Sequence, residues 1–583
     1  MKQSGKKQTF LGGAFVLALG TAIVKVIGLL FKVPLNRVIG EGGFGYFTTA
    51  YDIYSLLLII STAGLPVAMS RMISEARALG RTKQIQQIYK TALIVFLILG
   101  IIGSGGMIIL CKQLAEWMEQ PNAWFAILCL APALFFIGII SAQRGYFQGQ
   151  GNMTPTSVSQ VFEALSKLII GLGAAFLVMK LTGSVIFAAG SAIIGITLGT
   201  VISAAYLSAK HRRGQSEIDG QCTDETVLSF GATAKALLAI AIPITIGAAC
   251  LQLIALIDAK IVMHQLNATG FQRIADDPSV NAFVVDKAER LETLLTCVQN
   301  AFLPKLDIVA LKSQYMDSIM VTQADVLKGI YNFTQTIFNL PCAFITPLTI
   351  SAIPAITECL TKKDGDGARK TTESAIRVMG LIAVPCTVGL AVLAEPIVAM
   401  LGGYTNKYGN LTTASWLMAI LGIVVIFNSF VLVSNAILQA HKHVVWPVIN
   451  MLAGGIVKIV VNYFLVGTKA INIIGAPIGT LACYITITVL NIITMRNVMP
   501  EPPKLLRNLW KTVVAALPMG AAAYGANLLL AKLGCGTLIR CAGSIAIAGL
   551  VYIIFVFSLR IITKDDCELL PKGDKIAKIL KIH

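Results

Sequence analysis

Charged side chains stand inside runs of residues that are otherwise almost wholly apolar. Lys25 and Lys32 bracket KVIGLLFK, and Asp52 lies in YDIYSLLLII. Glu163 and Lys167 close VFEALSK, Asp258 and Lys260 interrupt LIALIDAKIV, and Lys458 interrupts GGIVKIVV. A charge near the centre of a bilayer costs about 2.5–3.5 kcal/mol by insertion scales, so such residues pair or face a wet cavity. Lys25 and Lys32 are seven apart and share a helix face. Lys25 is nearer mid-span and suits a cavity lining, whereas Lys32 is close enough to one interface to snorkel. Asp52 either pairs with one of these lysines or lies at the interface. Asp258 and Lys260 are two apart and point to different sides, so one faces a cavity or both flank the interface. Glu163 precedes Lys167 by four, the favourable order for a helix ion pair, and this suits a structural bridge. Lys458 has Gly454 at the matching place and needs another partner, water or a substrate anion.

Catalytic chemistry has little to draw on. Of five histidines, His211 and His583 fall in a loop and the tail, His264 opens an outer insertion, and His441 and His443 flank Lys442 in a turn. None has the acid or cysteine neighbours of a metal site. The twelve cysteines include no C-x-x-C spacing, and most sit beside apolar runs as small hydrophobes. No G-x-x-x-x-G-K-[ST] loop exists to cradle a nucleotide. No cofactor is expected, and transport work would draw on the membrane potential, Na+ or H+.

The elements that must position these charges are membrane spans. The chain is 56% hydrophobic and only 13% charged, with a mean hydropathy of +0.77 over 583 residues. A soluble chain carries about twice that charge. Apolar windows of about twenty residues recur, the length that crosses a bilayer core. The formal charge of +18 would suit nucleic acid in a soluble protein. Here it collects in loops such as RMISEARALGRTKQ and in the lysine-rich tail, where the positive-inside rule puts it. Nucleic acid is therefore not an expected partner. The start, MKQSGKKQTF, reads as the flank of an uncleaved first span.

About fourteen spans give the simplest parse of an all-α polytopic membrane protein, with both termini cytoplasmic. Residues 1–208 form a six-helix lobe, 209–235 a basic cytoplasmic linker, and 236–495 a second six-helix lobe. The second lobe contains an extracytoplasmic insertion at 264–327, where ADVLKGIYNF and DKAERLETLLTCVQNAF have the spacing of short amphipathic helices. Residues 496–583 supply two more spans and a basic tail.

The two lobes read as a duplication. RGYFQGQGNMTPTSVSQVFEALSK, from Arg144 to Lys167, returns in weaker form as LQAHKHVVWPVINMLAGGIVK. Gln148 and Gln439 each precede a lysine by nineteen residues, Lys167 and Lys458. Pro66 and Arg81 are fifteen apart, as are Pro354 and Arg369, and LAE recurs at Leu114–Glu116 and Leu393–Glu395. Six spans per copy make a parallel, pseudo-symmetric repeat, an architecture of secondary transporters.

The stretch from Arg144, with Gly145, Gln148, Gly149, Met153, Pro155, Ser159, Gln160 and Glu163, resembles the signature of a known family. So do KVIGLLFKVPLNRVIGEGGFGYFTTAYDIYSLLLIISTAGLPVAMSRMISEA and WPVINMLAGGIVKIVVNYFLV. They are similar to the multidrug/oligosaccharidyl-lipid/polysaccharide exporter superfamily, in its polysaccharide-transporter branch of sporulation-type proteins and lipid II flippases. The resemblance implies two six-helix lobes, two extra C-terminal helices and alternating access. It implies a flippase in the cell membrane, acting in polysaccharide and peptidoglycan synthesis. Its cargo would be a lipid-linked oligosaccharide diphosphate, with membrane lipids and cell-wall synthesis proteins as further partners. Lys25 and Lys32 would take the place of cavity arginines and attract the diphosphate. Asp52, Asp258, Lys260 and Lys458 would complete the substrate path, while Arg144, Gln148, Glu163 and Lys167 would shape a gate and brace the fifth span. A cation-coupled multidrug exporter of the same superfamily is the alternative, and a membrane glycosyltransferase or polymerase on lipid-linked glycans is the second.

Overall fold

In a computed structural model of the chain, the described residues are 10–62, 64–218, 228–269, 322–404, 410–499, 502–559 and 561. They are helical almost throughout, and no β-strand occurs among them. The chain forms two compact units, Met1–Gly329 and Ile330–His583.

The first unit opens with α1 (Phe10–Thr62). As one straight rod its 53 residues would run about 80 Å, far beyond a bilayer core of about 30 Å. Gly40 breaks the rod, at φ 67° and ψ 176°, a conformation that is costly for any residue with a Cβ. The first expected span lies before this break. The second begins after it but stops at Thr62, because α2 (Leu65–Ala78) starts afresh with Pro66 in its first turn, where a missing N–H costs no hydrogen bond.

There follow α3 (Thr82–Ile109), α4 (Cys111–Trp117), α5 (Trp124–Gly149), α6 (Thr154–Ser166), a π-helical turn at Lys167–Gly171, α7 (Leu172–Thr182), α8 (Val185–Ile218) and α9 (Phe230–Ala268). Leu65, Met69, Ile73, Ile88, Phe96, Tyr146, Leu207 and Leu237 form one buried cluster that joins α2, α3, α5, α8 and α9. α9 also packs on α1, and the Gly64 N–H donates to Thr245 Oγ at 3.2 Å. These contacts place α9 in the first unit, although loop charges had suggested that a second lobe begins at 236. His211 is a further difference. It lies in α8, not in a loop, and is buried with its ring 4.1 Å from that of Tyr89 and 4.5 Å from that of Tyr146. Stacking on two rings buries more apolar surface than a solvated loop would.

α10 (Gln323–Thr361) crosses the unit boundary at Gly329. ADVLKGIYNF is therefore the start of a 39-residue helix rather than a short amphipathic one. A capping box at Thr322 and Asp325 sets its beginning: the Asp325 N–H donates to Thr322 Oγ1 at 3.1 Å, and Thr322 N–H donates back to Asp325 Oδ2 at 3.2 Å. DKAERLETLLTCVQNAF, with the rest of 270–321, lies outside the described residues.

The second unit continues with α11 (Gly365–Val392), α12 (Ala394–Gly402), α13 (Asn410–Ala440), α14 (Val445–Val466), α15 (Gly475–Val498), α16 (Leu505–Lys532) and α17 (Thr537–Ser558). Its core includes Ile345, Ile356, Met379, Phe430, Ile437 and Met495. α13, α14 and α15 are joined by a polar chain: Asn450 Nδ2 donates to Asn491 Oδ1 at 2.8 Å, and Asn491 Nδ2 donates to Ser434 Oγ at 2.8 Å. Interhelical hydrogen bonds of this kind hold membrane helices together where apolar burial gives no drive. α17 docks on α11 through Tyr552, whose hydroxyl donates to the Leu381 carbonyl at 3.0 Å.

The repeat is visible in each unit. α3 and α11 both have 28 residues. α3 ends at Leu110 with φ −99° and ψ 14°, and α11 at Leu393 with φ −99° and ψ 24°. Each leucine heads a short helix, α4 or α12; the LAE triplet lies within α4 but begins on Leu393 itself, four residues out of step with the breaks. Gln148 and Gln439 sit at the ends of α5 and α13.

Among the described residues, twelve helices are long and apolar enough to cross a membrane, against the fourteen expected. The difference has two sources. Ile23–Arg77 counts as one run of 55 residues, and α10 is not among the twelve.

Candidate functional site

The signature stretch is a three-helix junction within the first unit. Gly145 and Gly149 face α2 so closely that a Cβ on Gly149 would stand 2.7 Å from Ile73 Cβ. Ser74 Oγ donates to the Gly149 carbonyl at 2.9 Å, and Arg77 donates to the Gln150 carbonyl. Arg144 points the other way, to α6. Its Nη2 meets Glu163 Oε1 at 2.6 Å, and its Nε donates to Ser159 Oγ at 3.0 Å. Gln148 Nε2 reaches Thr156 Oγ1 at 3.5 Å. The planar guanidinium serves the two acceptors from separate nitrogens in a fixed geometry, where a lysine would offer a single point charge.

Glu163 is thus held by Arg144 and not by Lys167, the partner that helical spacing indicates. Lys167 nevertheless stays in helical register with Glu163: its N–H donates to the Glu163 carbonyl, and Glu163 acts on it electrostatically. α6 ends at Ser166, and Lys167 begins a π-helical turn with i→i+5 bonding, a feature that recurs at functional sites. A glycine pair fixes the turn against α8: a Cβ on Gly195 would stand 2.3 Å from Gly171 N.

Lys167 also reaches α1. Its Nζ lies 6.0 Å from the centroid of the buried Phe31 ring. A Cβ at Gly28 would stand 3.8 Å from it, in ordinary van der Waals contact. Lys32 follows Phe31 and is half-buried. It interacts electrostatically with Lys167 and with Asp52, itself half-buried further along α1. Lys25, on the same helix, is exposed.

A second group of charges was not anticipated from the sequence. Asp325 and Lys328, 3% and 2% exposed, lie in the first turns of α10. Asp325 accepts from the Tyr46 hydroxyl at 2.9 Å, Gln120 Nε2 at 2.7 Å and Thr322 Oγ1 at 2.7 Å. Lys328 Nζ donates to Thr49 Oγ1 at 3.1 Å and Gln120 Oε1 at 3.3 Å. Asp52, Asp325 and Asp258 all act electrostatically on Lys328. Thr322-x-x-Asp325 before an apolar run was the available signal, since that spacing marks a helix start.

On α9 the two charges separate. Asp258 is buried, whereas Lys260 lies over the Trp117 ring at 4.5 Å. His264 Nδ1 meets Glu119 Oε1 at 3.0 Å. Lys458 belongs to the second unit, half-buried on α14, where it interacts electrostatically with Tyr484. The first unit therefore brings together Lys32, Asp52 and Lys167 around α1, with Asp258 and Lys328 in electrostatic contact with the same acid–base set. The Arg144–Glu163 junction adjoins this set, since Glu163 acts electrostatically on Lys167 and on Tyr51 beside Asp52, whereas Lys260 makes its ring contact on Trp117. This arrangement can receive and balance charge. Among the described residues, no group of three or more His, Cys, Asp or Glu could hold a metal ion.

Comparison with known proteins agrees with this architecture. A family model described as "Polysaccharide biosynthesis protein" matches residues 10–280, and one described as "Lipid II flippase MurJ" matches residues 318–542. The chain is 24% identical to lipid II flippase MurJ of Bacillus subtilis (strain 168) over 490 residues, 82% of this chain and 80% of that protein. It is 23% identical to stage V sporulation protein B of the same organism over 566 residues, 97% and 98% of the two chains. Its fold is similar to a solved structure of lipid II flippase MurJ in an inward closed conformation, with a TM-score of 0.64 at 13% identity over 93% of this chain and 98% of that one. With the duplicated helices and the Arg144 junction, these matches liken the two halves of the chain to the polysaccharide-transporter branch of the multidrug/oligosaccharidyl-lipid/polysaccharide exporter superfamily, and the chain is a membrane transporter rather than an enzyme.

Proposed function

We propose that the protein is a flippase for lipid-linked cell-wall precursors. Its cargo is an undecaprenyl-diphosphate-linked glycan, lipid II or a related intermediate, moved from the cytoplasmic to the outer leaflet by alternating access. The observation that carries this reading is the half-buried Lys32 on α1, a helix that enters the membrane by its length and composition. A diphosphate cannot cross hydrocarbon uncompensated, and a lysine within a span is a fixed counter-charge for it. A drug exporter with cationic cargo would call for an excess of acids, whereas Asp52, Asp258 and Asp325 are matched here by Lys32, Lys167 and Lys328. The likeness to a lipid II flippase supports the same class of substrate.

The acids then have a balancing role. Asp52, Asp258 and Asp325 keep the unit from carrying several uncompensated lysines while the site is empty. Coupling to the membrane potential, Na+ or H+ supplies direction. The potential contributes about 2.3 kcal/mol per elementary charge per 100 mV, and an anion leaving a negative interior moves down it. Both termini are cytoplasmic in this scheme, and cell-wall synthesis proteins are the natural neighbours.

The test is replacement of a resident flippase. In a strain depleted of its own lipid II flippase, expression of this chain is expected to restore growth and outer-leaflet precursor, read by topology-resolved labelling. Precursor that stays on the cytoplasmic side, with the protein folded and in the membrane, would contradict the proposal.

A further inference from the structure

We infer that Tyr51 is a specificity-determining residue of the substrate path, a ring on which the first sugar of a lipid-linked glycan stacks; the inference deepens the flippase reading above and rests on it.

The second half of α1 carries Phe44, Phe47, Tyr51 and Tyr54, whose spacing puts them on one helix face. Such a stripe is ordinarily core, and three of its rings are: Phe44, Phe47 and Tyr54 are 0%, 2% and 3% exposed. Tyr51 departs from them at 41%. Its ring lies nearly parallel to that of Phe47, at 18° and 6.4 Å, and tilts against that of Tyr54 at 5.6 Å. A buried ring on each side thus holds Tyr51 in place and leaves part of it open. The ladder belongs to the interior of the first unit, not to its lipid face. Phe47 also meets Phe31 at 5.8 Å, the ring over which Lys167 stands. Asp52 follows Tyr51 in sequence, Glu163 of α6 acts electrostatically on Tyr51 and Tyr54, and Arg144 acts on Tyr54. An open aromatic ring flanked by carboxylates suits a pyranose. The sugar's C–H groups lie on the negative π face, and the hydroxyls at its rim donate to carboxylate oxygens. A prenyl chain gives the carboxylates nothing to bond, and a phosphate would be repelled by acids and ring face alike. Asp52 in turn acts on Lys32, so the ring lies beside the counter-charge assigned to the diphosphate, as the first sugar must.

Purified full-length protein in detergent would be titrated with undecaprenyl diphosphate and with undecaprenyl diphosphate bearing one N-acetylglucosamine, with binding read by native mass spectrometry. Wild type is expected to favour the sugar-bearing lipid by about fivefold, the scale of one aromatic contact. Tyr51→Ala should bring the two lipids to within about twofold and leave affinity for the bare diphosphate unchanged. Tyr51→Phe keeps the ring and should keep the preference. Tyr51→Leu, which keeps apolar bulk without a π face, should lose it as alanine does, and it replaces the alanine variant if that one unfolds. A preference retained in the alanine or leucine variant would overturn the inference, as would equal weakening of both lipids with a lower melting temperature. Equal binding of the two lipids by wild type would also overturn it and leave the flippase reading intact. A folded wild type that binds neither lipid would overturn both.

Discussion

Arg144 and Glu163 show how one side chain can change the roles of its neighbours. Sequence spacing joins Glu163 to Lys167, whereas the structure gives its hydrogen bond to Arg144 on α5. The bond to Arg144 is charge-assisted and partly shielded, with side-chain exposures of 19% and 27%. Glu163→Gln is expected to cost about 1.5–3 kcal/mol in equilibrium unfolding, the range for hydrogen bonds to charged groups. A double-mutant cycle should find strong coupling of Glu163 to Arg144. Coupling to Lys167 should be weaker, since Glu163 acts on it electrostatically while its short hydrogen bond goes to Arg144. Strong coupling to Lys167 would restore the simple i,i+4 bridge. The charges in apolar runs were legible from sequence because their cost is local. Their partners were not, since Asp325 meets Tyr46 and Gln120 across 279 and 205 residues.

At the scale of elements, close backbone approach decides where the charges go. α8 touches the π-turn through Gly195, where a Cβ would stand 2.3 Å from Gly171 N and 2.4 Å from its Cα. Gly195→Ala is therefore expected to destabilise by about 1–3 kcal/mol, as overpacking does, and to shift Lys167 away from α1. Gly173→Ala is the control, since a Cβ there meets nothing within 4 Å. It should be neutral or slightly stabilising, because alanine costs less helix entropy than glycine. Thermal unfolding of the two variants, with diphosphate-lipid binding, separates the cases; equal loss in both would show that the glycine contact does not fix the turn. Hydropathy found most of these helices because an apolar run of twenty is a strong signal. It missed the kink at Gly40, the start of α10 at its capping box and the burial of His211 in α8. Each depends on a few hydrogen bonds or ring contacts that average out of a hydropathy window.

For the whole molecule, the duplication was legible from a few spaced residues, and the structure gives it physical form in the matching leucine breaks of α3 and α11. The limits of the compact units were less legible. Loop charges respond to the side of the membrane, whereas the first unit's extent through α9 reflects packing on α1, α2 and α3. The charge-bearing site and the signature junction lie in that unit, and the signature serves as scaffold while α1 and the π-turn carry the charge. The central claim is that membrane-embedded lysines of this unit receive a lipid diphosphate for transport. Its most direct measurement is precursor flipping by reconstituted full-length protein in vesicles that carry lipid II, comparing wild type with Lys25→Ala, Lys32→Ala and the double variant at equal folded amounts. Flipping by wild type and a loss of about tenfold or more in Lys32→Ala, with a smaller effect in Lys25→Ala, is the expected result. Unchanged flipping in the double variant would contradict it.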